Sequence, residues 1–351
     1  VRLTVSIAMC TYNGARFLRE QLDSLAAQTY LPEELIICDD ISTDETTNII
    51  TEFASRAPFS VRLIINETRL FFQRNFIKAA AACSSDLIAF CDQDDIWMPQ
   101  KLATIVAEFH DKDIMVIAHQ ARLIDHESKE IASRIIDADF APIYNRLSCR
   151  PWNFSRGFTQ VFRQKINAFA SLHQMTEGFS TQDPYISHDS WIQVIGNSLG
   201  KVLWIDTPLA YYRQHEHNLF GIKAYVREMK NFDVLSDILA ASEKASIIYN
   251  IFSFAALQPQ FLEFKILITD AKYHWRKVSR SFYLRYNLYT ESNIFNRLRS
   301  FYLLIKIGAY DSRKRWAFSM RSILKDLFIF IFNYKNYILL REKLIVMRYL
   351  C

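Results

Sequence analysis

The sequence predicts an α/β fold, a mostly parallel sheet covered by helices and followed by a helical C-terminal region. Three observations carry this. Apolar runs of strand length alternate with helically spaced segments through residues 3–119. Several of those runs end in a polar cluster: Cys10-Thr11-Tyr12-Asn13, Asp39-Asp40 and Asp92-Gln93-Asp94-Asp95. From about residue 222 the pattern is helical to the end. Strands alternating with helices imply a parallel, helix-covered sheet. The expected division is residues 1–221 for the α/β domain and 222–351 for a basic, aromatic-rich helical region.

Val5–Cys10 reads as the first strand, and Ala15–Gln28 as a helix with Phe17, Leu18, Leu22 and Leu25 on one face. Leu35–Cys38 is the second strand and ends in Asp39-Asp40. Ser42-Thr43-Asp44-Glu45 has the spacing of a capping box and predicts a helix through Ile49, Ile50 and Phe53. Val61–Ile65, Leu87–Cys91 and Ile114–Ile117 are further strands. Asn75–Ala82 and Pro99–Phe109 are helices, and Val202–Ile205 is a short strand before Pro208. Residues 122–185 show no clear period.

Composition narrows the chemistry. Seven Gly in 351 residues, with no GxGxxG and no GxxxxGK[ST], argue against a dinucleotide fold or a P-loop. Six Cys without CxxC or zinc spacing read as buried reduced thiols. The chain runs straight into a strand with no charged leader, and no apolar run approaches the roughly 18–20 residues of a membrane span. A cytoplasmic chain is expected. Residues 271–351 hold 17 Lys+Arg against 4 Asp+Glu, and the rest holds 25 against 33. The chain therefore pairs an acidic body with a tail of net charge +13.

Ligands of open parallel sheets bind outside the carboxyl ends of the strands. The three polar clusters fall at such ends and are expected to converge. Asp92, Asp94 and Asp95 would repel one another without a cation among them. Hard oxygen ligands suit Mg²⁺ or Mn²⁺, held by one or two carboxylates and completed by phosphate oxygens. An acidic loop preceding the helix near Pro99 gives the same pattern, so spacing alone leaves both open.

Here the sequence resembles a known family. Val5-Ser6-Ile7-Ala8-Met9-Cys10-Thr11-Tyr12-Asn13-Gly14, Gln21-Leu22-Asp23-Ser24-Leu25, Ile36-Ile37-Cys38-Asp39-Asp40 and Asp92-Gln93-Asp94-Asp95-Ile96-Trp97-Met98-Pro99 resemble, in order, motifs of the family 2 glycosyltransferases of GT-A fold. The last resembles the DxD segment of rhamnosyltransferase-like bacterial members. The likeness is dense from residue 3 to about 110 and patchy to about 221.

The resemblance implies roles. Cys10, Tyr12 and Asp40 would meet the nucleotide base, with Arg74 reaching the diphosphate. Asp92 would touch ribose or metal, Asp94 would ligate the metal, and Asp95 would support the donor sugar. Asp189, in His188-Asp189-Ser190-Trp191, stands where the family places its catalytic base; a plain helix N-cap is the alternative. Gly157, Gln160, His188 and Trp191 would lie on the acceptor side. Tyr211-Tyr212-Arg213-Gln214-His215-Glu216-His217-Asn218 resembles a closing signature whose Arg213 and His215 would donate to phosphate. A zinc site at His215 and His217 lacks a third ligand.

Two departures stand out. The family usually has Gly where this chain has Ile41, and Asn-x-Gly where it has Arg69-Leu70-Phe71. Bulky residues at positive φ are strained, so both loops are expected to be reshaped.

The function implied is inverting, metal-dependent transfer from a UDP- or dTDP-sugar, with dTDP-rhamnose the first guess, onto a cell-surface polysaccharide or lipid-linked glycan. A sugar-nucleotide-binding scaffold without activity is the alternative. A nucleotidyltransferase would want a glycine-rich basic loop that Cys10–Gly14 lacks. The basic tail, 271–351, suits an anionic membrane surface at the inner face of the cytoplasmic membrane, or packing on the body or on a second copy in a homo-oligomer. No nucleic-acid motif is present.

Overall fold

The computed structural model describes residues 2–134, 141–149, 155–178, 185–216, 218, 234–310, 318 and 320–332. The chain divides into two compact units, residues 1–147 with 153–230, and 148–152 with 231–351. The expected boundary at 221/222 lies outside the described residues, as do His217 and Arg313-Lys314-Arg315 of the basic tail.

The first unit is built on one sheet. Its strands are β1 (Val5–Thr11), β2 (Glu34–Asp39), β3 (Ser60–Ile65), β4 (Leu87–Cys91), β5 (Ile96–Trp97), β6 (Ile114–Ile124), β7 (Glu130–Ala132), β8 (Ile143–Tyr144), β9 (Val161–Arg163) and β10 (Lys201–Arg213). The order is β3-β2-β1-β4-β9-β6-β10-β5, with β7 on β6 and β8 on β10. β1 pairs in parallel with β2 and β4, and β2 with β3. β9 is antiparallel to both β4 and β6, so β6 and its parallel partner β10 point the same way as β1–β4. The sheet is thus mostly parallel, as expected of a GT-A-type domain. Its consequence is positional: β1, β2, β4, β6 and β10 all end on one edge.

β1, β2 and β4 are buried on both faces, which explains their unbroken apolar runs. Helices α1 (Ala15–Ala26), α2 (Thr46–Ala54), α3 (Phe71–Ala81), α4 (Lys101–Glu108) and α5 (His188–Leu199) accompany them. α1 buries Leu18, Gln21, Leu22 and Leu25, the stripe its periodicity predicts. α3 begins at Phe71, four residues ahead of the expected Asn75. β6 and β10 are longer than expected, and β10 runs through Pro208 with register shifts on either side of it.

The capping box is not formed. α2 starts at Thr46, and Ser42 Oγ turns back to donate to Asp39 Oδ2 at 2.5 Å. Asp44 Oδ1 instead accepts the Thr46 N–H at 3.0 Å. The buried Asp39 carboxylate outcompetes a solvent-facing helix end for the hydroxyl.

The two loops with missing glycines are not reshaped. Ile41 sits at φ 66° and Phe71 at φ 56°. Both keep the left-handed backbone and point their side chains outward, 37% and 59% exposed. The Asp40 carboxylate between them holds the geometry. Its Oδ1 accepts from Leu70 N (2.7 Å) and Asn66 Nδ2 (2.9 Å), and its Oδ2 from Phe71 N (3.0 Å) and Arg69 Nε (3.2 Å).

The second unit contains α6 (Val234–Ala255), α7 (Lys265–Thr290), α8 (Ile294–Lys306) and α9 (Met320–Phe332). Its core gathers Ile238, Leu284, Leu288, Leu304 and Ile329. The fully buried Asp326 accepts from Arg285 Nη2 (2.9 Å), Tyr289 Oη (2.5 Å) and Tyr310 Oη (2.7 Å), so a charge pair is wrapped by two phenols.

A β-branched residue in the left-handed region is held there against its own preference, by about 1 kcal/mol or more. Ile41→Gly is therefore expected to stabilise the protein by about 1 kcal/mol in urea unfolding. A loss of stability would show that the Ile41 side chain contributes more than its backbone costs.

Candidate active site

The acidic run leaves the end of β4 and enters β5, which pairs antiparallel with β10 near its own end. This brings Asp94 and Asp95 to Arg213, more than a hundred residues away. Arg213 N donates to Asp95 Oδ1 at 3.0 Å, and its Nε donates to Asp94 O at 2.8 Å. Its other guanidinium nitrogens reach Ser128 Oγ (2.8 Å), Asp125 O (3.3 Å) and Glu20 Oε2 (2.5 Å). At 1% exposure with its donors taken, Arg213 is not placed to bind phosphate. It fastens the acidic turn to α1 and to the turn after β6.

His215 Nε2 donates to Asp94 Oδ2 at 2.7 Å, and its ring lies 4.9 Å from that of Phe17. Asp95 is fully buried, so it stands behind the site rather than beside a donor sugar. Burial, with Asp94 and Asp92 beside it, pushes its carboxyl well above the ordinary range, and its Oδ2 has no hydrogen-bond partner among the described residues. Desolvation, then the charges of Asp94 and Asp189, push the Asp92 carboxyl up to about 7. Asp92 thus senses Asp189 from the far end of the domain sequence.

Lys101 escaped the sequence analysis. It is fully buried at the start of α4, with Nζ 2.7 Å from Phe158 O and 3.5 Å from the Trp97 ring centroid. Burial lowers its pKa to about 7, against the opposing pull of Cys91, Asp95 and Asp92. The signal was a lysine one turn before Ile105, on the buried side of an amphipathic helix.

Asp189 lies in the first turn of α5, after Ser187. Its Oδ1 accepts from Ser187 Oγ (2.5 Å) and Ser190 N (2.7 Å), and its Oδ2 has no hydrogen-bond partner among the described residues. Gln160 Nε2 donates to its backbone oxygen at 3.1 Å. One carboxylate oxygen is therefore fixed and the other is open.

His188 and Trp191, expected on the acceptor side, are packed inward. The His188 ring stacks on Phe76 at 4.0 Å, with the edges of Phe90 at 4.9 Å and Phe72 at 6.0 Å. Neither ring nitrogen has a hydrogen-bond partner among the described residues, and burial lowers its pKa to about 4. Gly157 lies against it: a Cβ there would meet His188 Nε2 at 2.3 Å. Trp191 is 1% exposed and packs edge-on to His173. Both side chains follow the buried stripe of α5.

At the ends of β1 and β2, Tyr12 is 39% exposed and carries the Arg69 guanidinium 3.6 Å above its ring. Gln93 braces this loop to the acidic run, accepting from Tyr12 N at 2.9 Å and donating to Tyr12 O at 3.2 Å. Burial would raise the Asp40 carboxyl, but the bonds from Leu70, Asn66, Phe71 and Arg69 outweigh it and hold the pKa below the ordinary value. All four bonds come from the 66–71 loop, so Asp40 acts on that loop. Cys10 is buried beneath, its thiol pushed well up by burial. Arg74 donates to Leu70 O at 3.3 Å and lies 5.1 Å from the Tyr185 ring centroid.

Among the described residues no three His, Cys, Asp or Glu side chains are grouped as a cage for an ion. Asp92 and Asp94 fit the lighter requirement of a hard cation that takes its remaining ligands from phosphate and water. The Asp92 carboxyl, pushed up first by burial and then by the negative charges of Asp94 and Asp189, is the observation that favours a cation there.

A family model described as "Glycosyl transferase family 2" matches residues 6–169. An uncharacterized glycosyltransferase of Nostoc sp. is 30% identical over 233 residues, 62% of this chain and 66% of that protein, so the match spans just under two thirds of that relative. The dTDP-rhamnosyl transferase RfbG of Shigella flexneri is 35% identical over 227 residues, 61% of this chain and 73% of that protein. The structure of S. aureus TarS 1-349 in complex with UDP-GlcNAc shares 15% identity at a TM-score of 0.49, covering 87% of this chain and 80% of that one.

His188 makes stability pH-dependent. Its folded value of about 4 lies below the ordinary 6.5, so the unfolded chain takes up the proton first as pH falls. Its contribution is intact above pH 6.5 and declines as pH falls through 4, by about 3 kcal/mol. His188→Leu should flatten the acid limb of urea-derived stability between those limits by about that amount. The buried His173, also lowered to about 4, and His119, lowered well below its ordinary value by burial, contribute slope of the same sign that the variant retains. An unchanged slope in the variant would contradict the assignment.

Proposed function

Because this chain belongs to glycosyl transferase family 2, we propose that its acidic site transfers a sugar from a nucleotide diphosphate donor to an acceptor hydroxyl, inverting the anomeric carbon. The observation that carries this is the closeness of Asp92 to both Asp94 and Asp189 at one edge of the sheet, where their charges add to burial in raising its carboxyl. Carboxylates for a diphosphate-bound cation and a carboxylate for a proton are what such a transfer requires.

Asp189 is the base in this scheme. Ser187 and Ser190 hold Oδ1, leaving Oδ2 to take the acceptor proton as its oxygen attacks. Gln160 steadies the Asp189 backbone from the turn that begins at Gly157. Asp94, with Asp92, would hold Mg²⁺ or Mn²⁺, and His215 aligns the Asp94 carboxylate. A bound divalent cation supplies Lewis-acid stabilisation of the departing diphosphate. The exposed Tyr12 ring under Arg69 offers the base a flat, cation-backed surface, and Arg74 is the candidate for diphosphate contact.

The donor proposed is a UDP- or dTDP-sugar. dTDP-rhamnose comes first, since RfbG is named a dTDP-rhamnosyl transferase. The acceptor proposed is a growing surface polysaccharide or a lipid-linked glycan.

Nucleotide release from a panel of UDP- and dTDP-sugars, with Mg²⁺ or Mn²⁺ and then EDTA, tests the proposal. Release is expected with at least one donor and is expected to stop in EDTA. Asp94→Asn should abolish it. Asp189→Asn should leave donor affinity intact and slow transfer by about 10²–10⁴-fold. Metal-independent behaviour with every donor would sink the metal assignment, and full transfer by Asp189→Asn would remove the base.

A further inference from the structure

In the C-terminal unit, helix α8 packs Phe301, Leu303 and Leu304 on the core and carries a second apolar row outside. Its buried side carries Arg297, Ser300 and Leu304. Its exposed side carries Phe295 (76%), Leu298 (48%), Tyr302 (58%) and Ile305 (56%). The four recur at intervals of three, four and three residues, which places them in one row about 15 Å long. Arg297 is accommodated within because its Nη1 donates to Ile329 O at 3.1 Å. A single exposed apolar residue needs no explanation, but an ordered row on a helix that buries an arginine does.

Exposed Arg299 and Lys306 flank the row. On α7, exposed Tyr273 and Tyr283 stand among exposed Arg276, Lys277 and Arg280. These residues belong to a segment of net charge +13. The occupant of the row must be apolar where Phe295 and Leu298 enter and negative around them. A second copy meeting the same face across a two-fold axis would set cations against cations. A nucleic acid would match the charge and leave the row in water. A bilayer with anionic headgroups meets both demands.

We propose that α8 is a membrane-docking helix. Phe295, Leu298, Tyr302 and Ile305 enter the boundary beneath the headgroups, while Arg299 and Lys306 keep their charges at lipid phosphates. The proposal stands apart from the sugar-transfer reading and concerns where the protein works.

Flotation of the full chain with vesicles tests it. Vesicles of phosphatidylcholine alone are compared with vesicles that also contain phosphatidylglycerol, at low and high salt. Binding is expected on the anionic vesicles at low salt, and about tenfold weaker on neutral ones or at high salt. The triple variant Phe295→Ser, Leu298→Ser, Ile305→Ser changes only exposed side chains and should keep the parent's circular dichroism and donor hydrolysis. It should lose binding by about tenfold or more. Failure of the parent to float, or equal flotation of the variant, overturns the proposal. So does concentration-dependent dimerisation of the parent that the variant abolishes, which would make the row an interface between copies. Donor hydrolysis of the soluble chain is read separately, so either proposal can fail without the other.

Discussion

Three carboxylates crowd the end of one buried strand, and the domain keeps them there with two cations that water hardly reaches. Arg213 spreads its donors over Asp94, Asp125, Ser128 and Glu20 and gives its backbone N–H to Asp95. Lys101 lies beneath, against Phe158 O and the Trp97 face. Burying a charge costs several kcal/mol unless it is paired and hydrogen-bonded. The pairing of β5 with β10 and the placement of α4 under the acidic run both serve that requirement. Asp92 and Asp94 keep partial access to solvent while Asp95 and the two basic side chains stay inside.

The neighbouring loops are fastened by the same kind of device. One buried carboxylate, Asp40, takes four donors from residues 66–71, and one amide, Gln93, both accepts from and donates to the Tyr12 backbone. Loops ordered before a ligand arrives spare the binding step that entropy. Asp40 also explains how Ile41 and Phe71 tolerate a backbone that glycine adopts freely: the bonds from 66–71 outweigh the local strain.

Much of the first unit was legible in the sequence. The apolar runs of β1, β2 and β4 and the stripe of α1 depend on neighbours along the chain, and the polar clusters at strand ends mark the sheet's functional edge. What stayed hidden depends on partners far apart in sequence. Arg213 looked like a phosphate ligand because its signature shows a basic residue beside a histidine; only the β5–β10 pairing reveals that Glu20 and Asp94 already occupy it. Asp95, His188 and Trp191 take their expected roles from the family resemblance, yet one residue along a strand end or helix turns a side chain from the site to the core. β9 is three residues long and carries no period, although it joins the two halves of the sheet.

Gly157 presses its backbone against the imidazole of His188, and Phe72, Phe76 and Phe90 close off that ring's escape. Any other side chain at this position would have to displace a cluster of aromatic rings behind the turn. A survey of tolerated substitutions would therefore score residue 157 as strictly as a catalytic group on grounds of space alone. Intolerance at this turn measures the space behind the backbone, and mutational sensitivity alone would misplace the reacting centre by one layer of the fold.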